Sequence, residues 1–206
     1  MVSKENPTMP SNRPRNTDGR IARGERTRDA IVDAHTELLR EGVLKPTAKV
    51  IAERAGISLR TVWLNFNDLE ALLRATTAYW LEADAELRRD VDPALPLTQR
   101  IEQYIAQRVR RLEHIAPAAR SAALGEPFSA ALQASRRAHV ERSLSDLRLA
   151  FAPEIEAARS EGDVLVRSLF LATSWPSWTQ LRDDFGLGVA AATKVVRQSM
   201  TALLET

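Results

Sequence analysis

The stretch from Thr47 to Leu72, TAKVIAERAGISLRTVWLNFNDLEAL, constrains the fold more than any other part of the chain, because its spacing suits two short helices pivoting on one glycine. Ala48, Ile51, Ala52 and Ala55 recur at helical intervals and give the first helix a narrow face of small residues that can pack close to its neighbours. Thr47 stands where an N-cap belongs. Gly56 follows at once, where a helix end calls for a left-handed residue that glycine adopts cheaply, and Ser58 is placed to cap the next helix. The second helix is expected from Leu59 to about Phe66. Helix pairs joined by so short a turn cross steeply, which holds the second helix proud of the domain, where it can enter a DNA major groove about 12 Å wide.

Within that second helix Val62 and Phe66 point inward, which leaves Leu59, Arg60, Thr61, Trp63 and Asn65 for the outer and flanking faces. These residue types suit DNA. Arg60 can donate two hydrogen bonds to guanine O6 and N7, Leu59 and the Thr61 methyl can touch a thymine methyl, and Trp63 and Asn65 can donate to phosphate oxygens. The plainer alternative is an ordinary helical hairpin inside an all-helical core, against which an outward-facing tryptophan argues.

Net charge is only +2, too small by itself to suggest nucleic acid, but its distribution is uneven. Residues 1–28 carry Lys4, Arg13, Arg15, Arg20, Arg23, Arg26 and Arg28 against Glu5, Asp18 and Glu25. Pro7, Pro10, Pro14 and Gly19 deny the beginning of this segment a helix, so residues 1–24 read as a flexible basic arm. Phosphate contact is expected for Arg20 to Arg28, because the attraction falls off over a Debye length of about 8 Å. The more distal arm fits a DNA-tracking tail and a solubilising tail equally well.

No strand-like run bounded by hairpin signals occurs, so the chain reads all-α with about nine helices. The first should span about 25–40, striped by Thr27, Ala30, Ile31, Ala34 and Leu38 and ending at Gly42; the fourth should run from Asp68 to about Arg89. Next come Thr98 to Glu113, a short piece from Ala116 to Leu124, and Pro127 to Phe151 with proline in its tolerated first turn. Pro153 should open a brief helix ending near Gly162, and Asp163 should cap another that continues to about Asp184. Pro176 is the only proline expected inside a continuous helix, which it should kink. The last helix is expected from Val189 to Leu204. Leu171, Trp175, Trp178 and Arg182 make one stripe and Val189, Ala192, Val196, Ser199 and Leu203 another, and such a pair cannot bury both faces alone.

Catalytic chemistry finds little support. The three histidines, His35, His114 and His139, belong to no H-E-x-x-H or E-x-x-H pair, and no G-x-x-x-x-G-K-[ST] phosphate loop occurs. Cysteine is absent, which removes disulfides, zinc-thiolate sites and thiol catalysis. The expectation is therefore no enzyme, no metal and no cofactor. No run of 18 apolar residues and no signal-type hydrophobic stretch occurs, so the expected location is the cytoplasm, with no membrane partner.

From Thr27 to about Leu73 the chain resembles the TetR-type (TetR/AcrR) transcriptional regulators of bacteria. The likeness rests on Ala34, Leu38 and Gly42, then Thr47, Ile51, Ala52, Ala55 and Gly56, then Thr61, Phe66, Glu70 and Leu72. Three positions depart from the family pattern: Trp63 stands where tyrosine is usual, Asn65 where histidine is common, and Leu69 where a lysine usually opens the fourth helix. The last removes a phosphate contact. The resemblance implies a helix-turn-helix DNA-binding domain at 25–72 followed by an effector-binding and dimerisation domain at 73–206. It implies base contacts from Leu59, Arg60 and Thr61, and phosphate contacts from Thr27, Thr47, Lys49, Ser58, Trp63 and Asn65. It also implies a homodimer on a palindromic double-stranded operator, joined through the last two helices by Leu171, Val189, Val196 and Leu203. A small-molecule effector should sit among the body helices, with Trp80, Tyr104, Arg108, His114, Phe128, Trp175 and Trp178 as candidate lining residues. The expected function is a repressor released from its operator by that molecule; the alternative is a helical ligand-binding or interaction protein without DNA binding.

Overall fold

The computed structural model describes residues 15–205, whose regular elements are all helices, with no strand among them. The expected all-α class is what is observed. The first helix, α1 (Arg15–Arg40), begins well before Glu25, so the part of the arm expected over residues 15–24 is helical instead. Residues 1–14 lie outside the described residues. Gly19 and Gly24 each cost a helix about 1 kcal/mol relative to alanine, which is not enough to stop one otherwise rich in Arg, Ala and Glu. Two short helices follow, α2 (Ala48–Arg54) and α3 (Leu59–Asn65), and then the long connector α4 (Leu69–Leu87), capped by Asp68.

The remaining chain forms α5 (Leu97–Gly125), α6 (Ala130–Ala150), α7 (Ala152–Ala157), α8 (Gly162–Thr173), α9 (Trp175–Thr179), which runs on into a π-helical turn at Gln180–Asp184, and α10 (Val189–Leu204). Two prolines exchange the roles expected of them. Pro117 lies inside α5, which was expected to break before it. Losing one backbone bond costs about 3 kcal/mol, and the far half of α5 is held by ties of its own. Arg120 reaches Asp183 at 3.0 Å, and the Ser121 hydroxyl donates to the Leu44 carbonyl at 2.7 Å. Pro176, expected to kink a continuous helix, instead sits in the first turn of α9, where its missing N–H has no intrahelical partner in any case. Ser174 ends α8 and caps α9, accepting from the Ser177 N–H at 3.4 Å. Pro127 opens only a single 3-10 turn, and Ser129 is the residue that caps α6.

Two separate apolar clusters result. Ile31, Leu38, Ile51, Val62, Phe66 and Leu72 form one beneath α1 to α3; Ile105, Leu112, Leu147, Leu169, Val196 and Met200 belong to the other, in the body. α4 joins them, with Leu72 in the first and Trp80 and Asp84 buried farther along. At its start the Glu70 carboxylate accepts the Ala131 N–H at 2.9 Å, so the connector also closes the N-terminus of α6. Buried ion pairs fix α5 in the body. Arg111 donates to both oxygens of Asp84 and to Asp146, each at 2.8 Å, and Arg100 clasps Glu154 of α7.

α10 corrects one expectation. Ala192, Val196, Met200 and Leu204 face the body core, so Val196, expected at a dimer interface, is buried within the chain itself. Leu203 is half-buried against the same core. The apolar side chains left outside are Val189 and Val195 on α10 and Val164 and Leu171 on α8, the two helices being packed side by side. No helix among the described residues is long and apolar enough to cross a membrane.

Candidate nucleic-acid interface

The helix pair at Thr47 to Phe66 is built by local signals. Thr47 caps α2 by accepting the Val50 N–H at 3.3 Å, and Ser58 caps α3 by accepting the Thr61 N–H at 3.0 Å. Between them Gly56 has φ of 67°, the left-handed value that a side chain would strain, and its N–H bonds back to the Glu53 carbonyl. Val62 and Phe66 are buried against Ile51 and Ala52, which turns the opposite face of α3 to solvent. Arg28 of α1 fixes the far end of α3. Its guanidinium donates to the Asn65 carbonyl at 2.8 Å and lies 4.1 Å from the centre of the Phe66 ring.

On the outward face Leu59, Arg60 and Trp63 are exposed, and Arg60 makes no ion pair or hydrogen bond among the described residues. Its donors are free. Thr61 is half-buried and shares a 2.8 Å hydrogen bond with the Ser58 hydroxyl, which leaves its methyl as the contact it has to offer. Of the expected phosphate ligands, Lys49 is exposed beside Glu53 at 3.9 Å, and Thr47 and Ser58 are exposed caps. Two others are committed locally: Thr27 donates its hydroxyl proton to the Arg23 carbonyl, and Asn65 gives an amide N–H to the Thr61 carbonyl. Arg54 is not available, because Glu41 holds it through two hydrogen bonds.

Leu64 escaped the sequence reading although the signal was present. It lies one turn after Arg60, on the side of α3 away from Val62, and is 71% exposed, more than any other large apolar side chain of the pair. An apolar residue over the free arginine gives the face a dry ridge beside a charged donor. Leu69, at the start of α4, is likewise exposed, and the Asp68 cap occupies the Ala71 N–H there.

The candidate effector residues divide in two. Phe128 is 90% exposed and encloses nothing; Tyr104 packs edge-on against Phe151; Trp178 is core, its indole N–H donating to Glu113 at 2.7 Å; Trp175 is half-buried under Arg120. Trp80 and His114, by contrast, meet where α4 and α5 pack together, their rings 5.5 Å apart, and Arg108 is buried farther back on α5 against Ser143 of α6 and Thr173 of α8. His139 and Arg142 of α6 join them and were missed, although His139, Arg142, Ser143 and Asp146 follow one another at helical spacing. Burial pushes the His139 imidazole down to about 4, with Arg108 adding to the shift, and burial lowers the Arg108 guanidinium from its ordinary value. Two open surface depressions, of about 440 and 330 Å³, are lined by Glu126, Arg136 and Glu141 and by Arg89, Gln103 and Arg110 among others, and none of the seven candidates lines either.

Comparison with known proteins finds no family model that matches the chain and no curated protein that matches it.

Proposed function

We propose that this chain is a sequence-specific DNA-binding transcriptional regulator, a repressor that acts as a homodimer and leaves its operator when a small molecule binds the body. The observation that carries the reading is the outward face of α3, where Arg60 has no partner among the described residues and Ser58 and Gly56 fix the helix that presents it. A protruding helix with a free guanidinium is equipped to read a guanine, while the exposed caps and Lys49 lie beside it for phosphates. The TetR-like pattern of residues supports the same assignment. Dimerisation is assigned to the outer faces of α8 and α10, through Leu171, Val164, Val189 and Val195, rather than through Val196. A two-fold protein presents two α3 helices to half-sites about one helical turn, or 34 Å, apart, so a palindromic operator is the matching target.

Release follows from the architecture of α4. It packs on the head from Leu72 to Tyr79 and reaches the body at Asp84, which Arg111 of α5 holds, so a ligand that favours another placement of the body helices would shift the spacing of the two α3 helices. The test is selection of bound sequences from random double-stranded DNA with the purified full chain, followed by gel shift on the enriched site. An inverted repeat retarded by the wild type and released by Arg60→Ala supports the reading. Recovery of no enriched sequence refutes it and leaves a helical ligand-binding protein.

A further inference from the structure

Where α4, α5 and α6 meet, hydrogen-bond donors outnumber acceptors. Trp80 Nε1, Arg108 Nη2 and Arg142 Nε and Nη2 are shut off from solvent with no partner among the described residues, as are His114 Nε2 and His139 Nε2. The first four are donors and nothing else. The neighbouring acceptors are already used. Both oxygens of Asp84 take Arg111, Asp146 takes Arg111 and Arg88, the Thr173 carbonyl takes Arg108 Nε, and the Ser143 hydroxyl takes Arg108 Nη1. Charge is out of balance in the same sense: Arg88, Arg108, Arg111 and Arg142 face Asp84, Asp90 and Asp146, which leaves one guanidinium over, and Arg108, 2% exposed, donates its hydrogen bonds to neutral groups. Buried donors without partners and a buried cation without an anion are each unfavourable, and an anion with acceptor oxygens relieves both together.

We propose that this interface binds an organic monocarboxylate, with Arg108 as its anchor, Arg142 and Trp80 as further donors to its oxygens, and an apolar body lying against the Trp80 and His114 rings. One negative charge matches the single uncompensated guanidinium, whereas a phosphate monoester would bring nearly two. The carboxylate supplies the small molecule that the regulator reading requires, and the proposal rests on that reading for the consequence of binding. Because the donor atoms are closed off from solvent, the acid reaches them only by parting α4 from its neighbours, and α4 carries the head.

The experiment uses the full chain and four probes, acetate, benzoate, octanoate and indole-3-acetate, each against its primary amide, with thermal shift and tryptophan fluorescence as readouts. At least one acid should raise the melting temperature in a saturable way while its amide does not. Arg108→Met, which keeps volume and removes the charge, should weaken that binding about 10- to 100-fold, the loss expected for one charge-assisted hydrogen bond. If Arg108→Met fails to fold, Arg142→Met carries the same measurement, since Arg142 makes only a 3.5 Å contact to the Leu81 carbonyl. Equal effects of acid and amide, no shift with any of the four acids, or unchanged binding in a folded variant would each overturn the proposal. Gel shift on the same preparation separates the two readings. Acid binding without any bound DNA removes the regulator and keeps the carboxylate site, and DNA binding without acid binding does the reverse.

Discussion

Two adjacent valines on α10 should behave in opposite ways. Val196 is 4% exposed and packs in the body core with Ala192 and Met200, whereas Val195 is 41% exposed on the outer face of α10, the face proposed for a second subunit. A carboxylate forced into the Val196 site would stand uncompensated among apolar side chains, at about 3 to 5 kcal/mol, a large share of the 5 to 15 kcal/mol typical of a folded domain. At roughly 2 to 4 °C per kcal/mol for a chain of this size, Val196→Glu should lower the melting temperature by about 6 to 20 °C. Val195→Glu should leave the subunit's helicity intact at 20 °C, because exposed substitutions away from special features stay within about 0.5 kcal/mol. It should nevertheless abolish the dimer, since the charge meets its own symmetry mate. Circular dichroism reads the first effect and sedimentation velocity the second. If Val196→Glu melted like the wild type while sedimenting as a monomer, the inner face of α10 would belong to the partner and the interface drawn here would be inverted. A Val195→Glu protein that stayed dimeric would place the interface on some other surface.

Arg60→Ala should cost about 1 to 3 kcal/mol of operator affinity and relax preference at one base pair per half-site, with non-specific binding nearly unchanged; a uniform loss across sequences in competition gel shift would make Arg60 a phosphate contact instead. Gly56→Ala should destabilise by about 1 to 2 kcal/mol in chemical denaturation, the penalty of a left-handed non-glycine residue at φ of 67°, and a neutral result would mean the turn relaxes. Burial holds the His35 imidazole down at about 4, neutral against Thr76 at 2.9 Å. Its folded value lies below the unfolded 6.5, so the stability it lends is complete above pH 6.5 and is lost as pH falls toward 4, at about 1.4 kcal/mol per pH unit. Melting curves across that window should show the slope reduced in His35→Gln, and an identical slope would assign the acid sensitivity to other groups.

The reading head was legible in the sequence because each of its signals is local. Thr47, Gly56 and Ser58 act on backbone groups within a few residues of themselves, and the intervals between Ile51, Ala52, Val62 and Phe66 name the buried face. The body resisted where distant contacts decide. Nothing near Pro117 says that α5 continues, since its far half is held by Leu44 and Asp183. At Pro176 a local signal was present, as Ser174 two residues earlier is a good cap, but the apolar stripe on either side hid it. On α10 two registers of apolar residues run side by side, one through Ala192 and Val196 and one through Val195, and periodicity cannot choose between them without knowing where α5 and α8 lie. Arg108 stands among the lining candidates only through the resemblance, because an arginine on an amphipathic helix carries no local sign that α6 and α8 close over it.

The tie between Glu70 and α6 bears on how such a chain can be recombined in evolution or at the bench. The N-terminal cluster extends along α4 through Leu72 and Ala75 to Tyr79, which suggests a seam beyond Tyr79 for exchanging the N-terminal helices. The hydroxyl of Ser121 would tolerate that exchange, because it asks of the incoming head only the main-chain carbonyl at Leu44, which every sequence supplies. Glu70 would not. It lies on the head side of the seam, yet its carboxylate serves the Ala131 N–H of the body, so a transplanted head without an acid at that position leaves the first turn of α6 short of an acceptor. Under the proposed function, a hybrid joined before Leu69 should keep its response to the ligand, whereas one joined beyond Tyr79 with alanine at position 70 should bind its new operator and answer poorly to the old ligand.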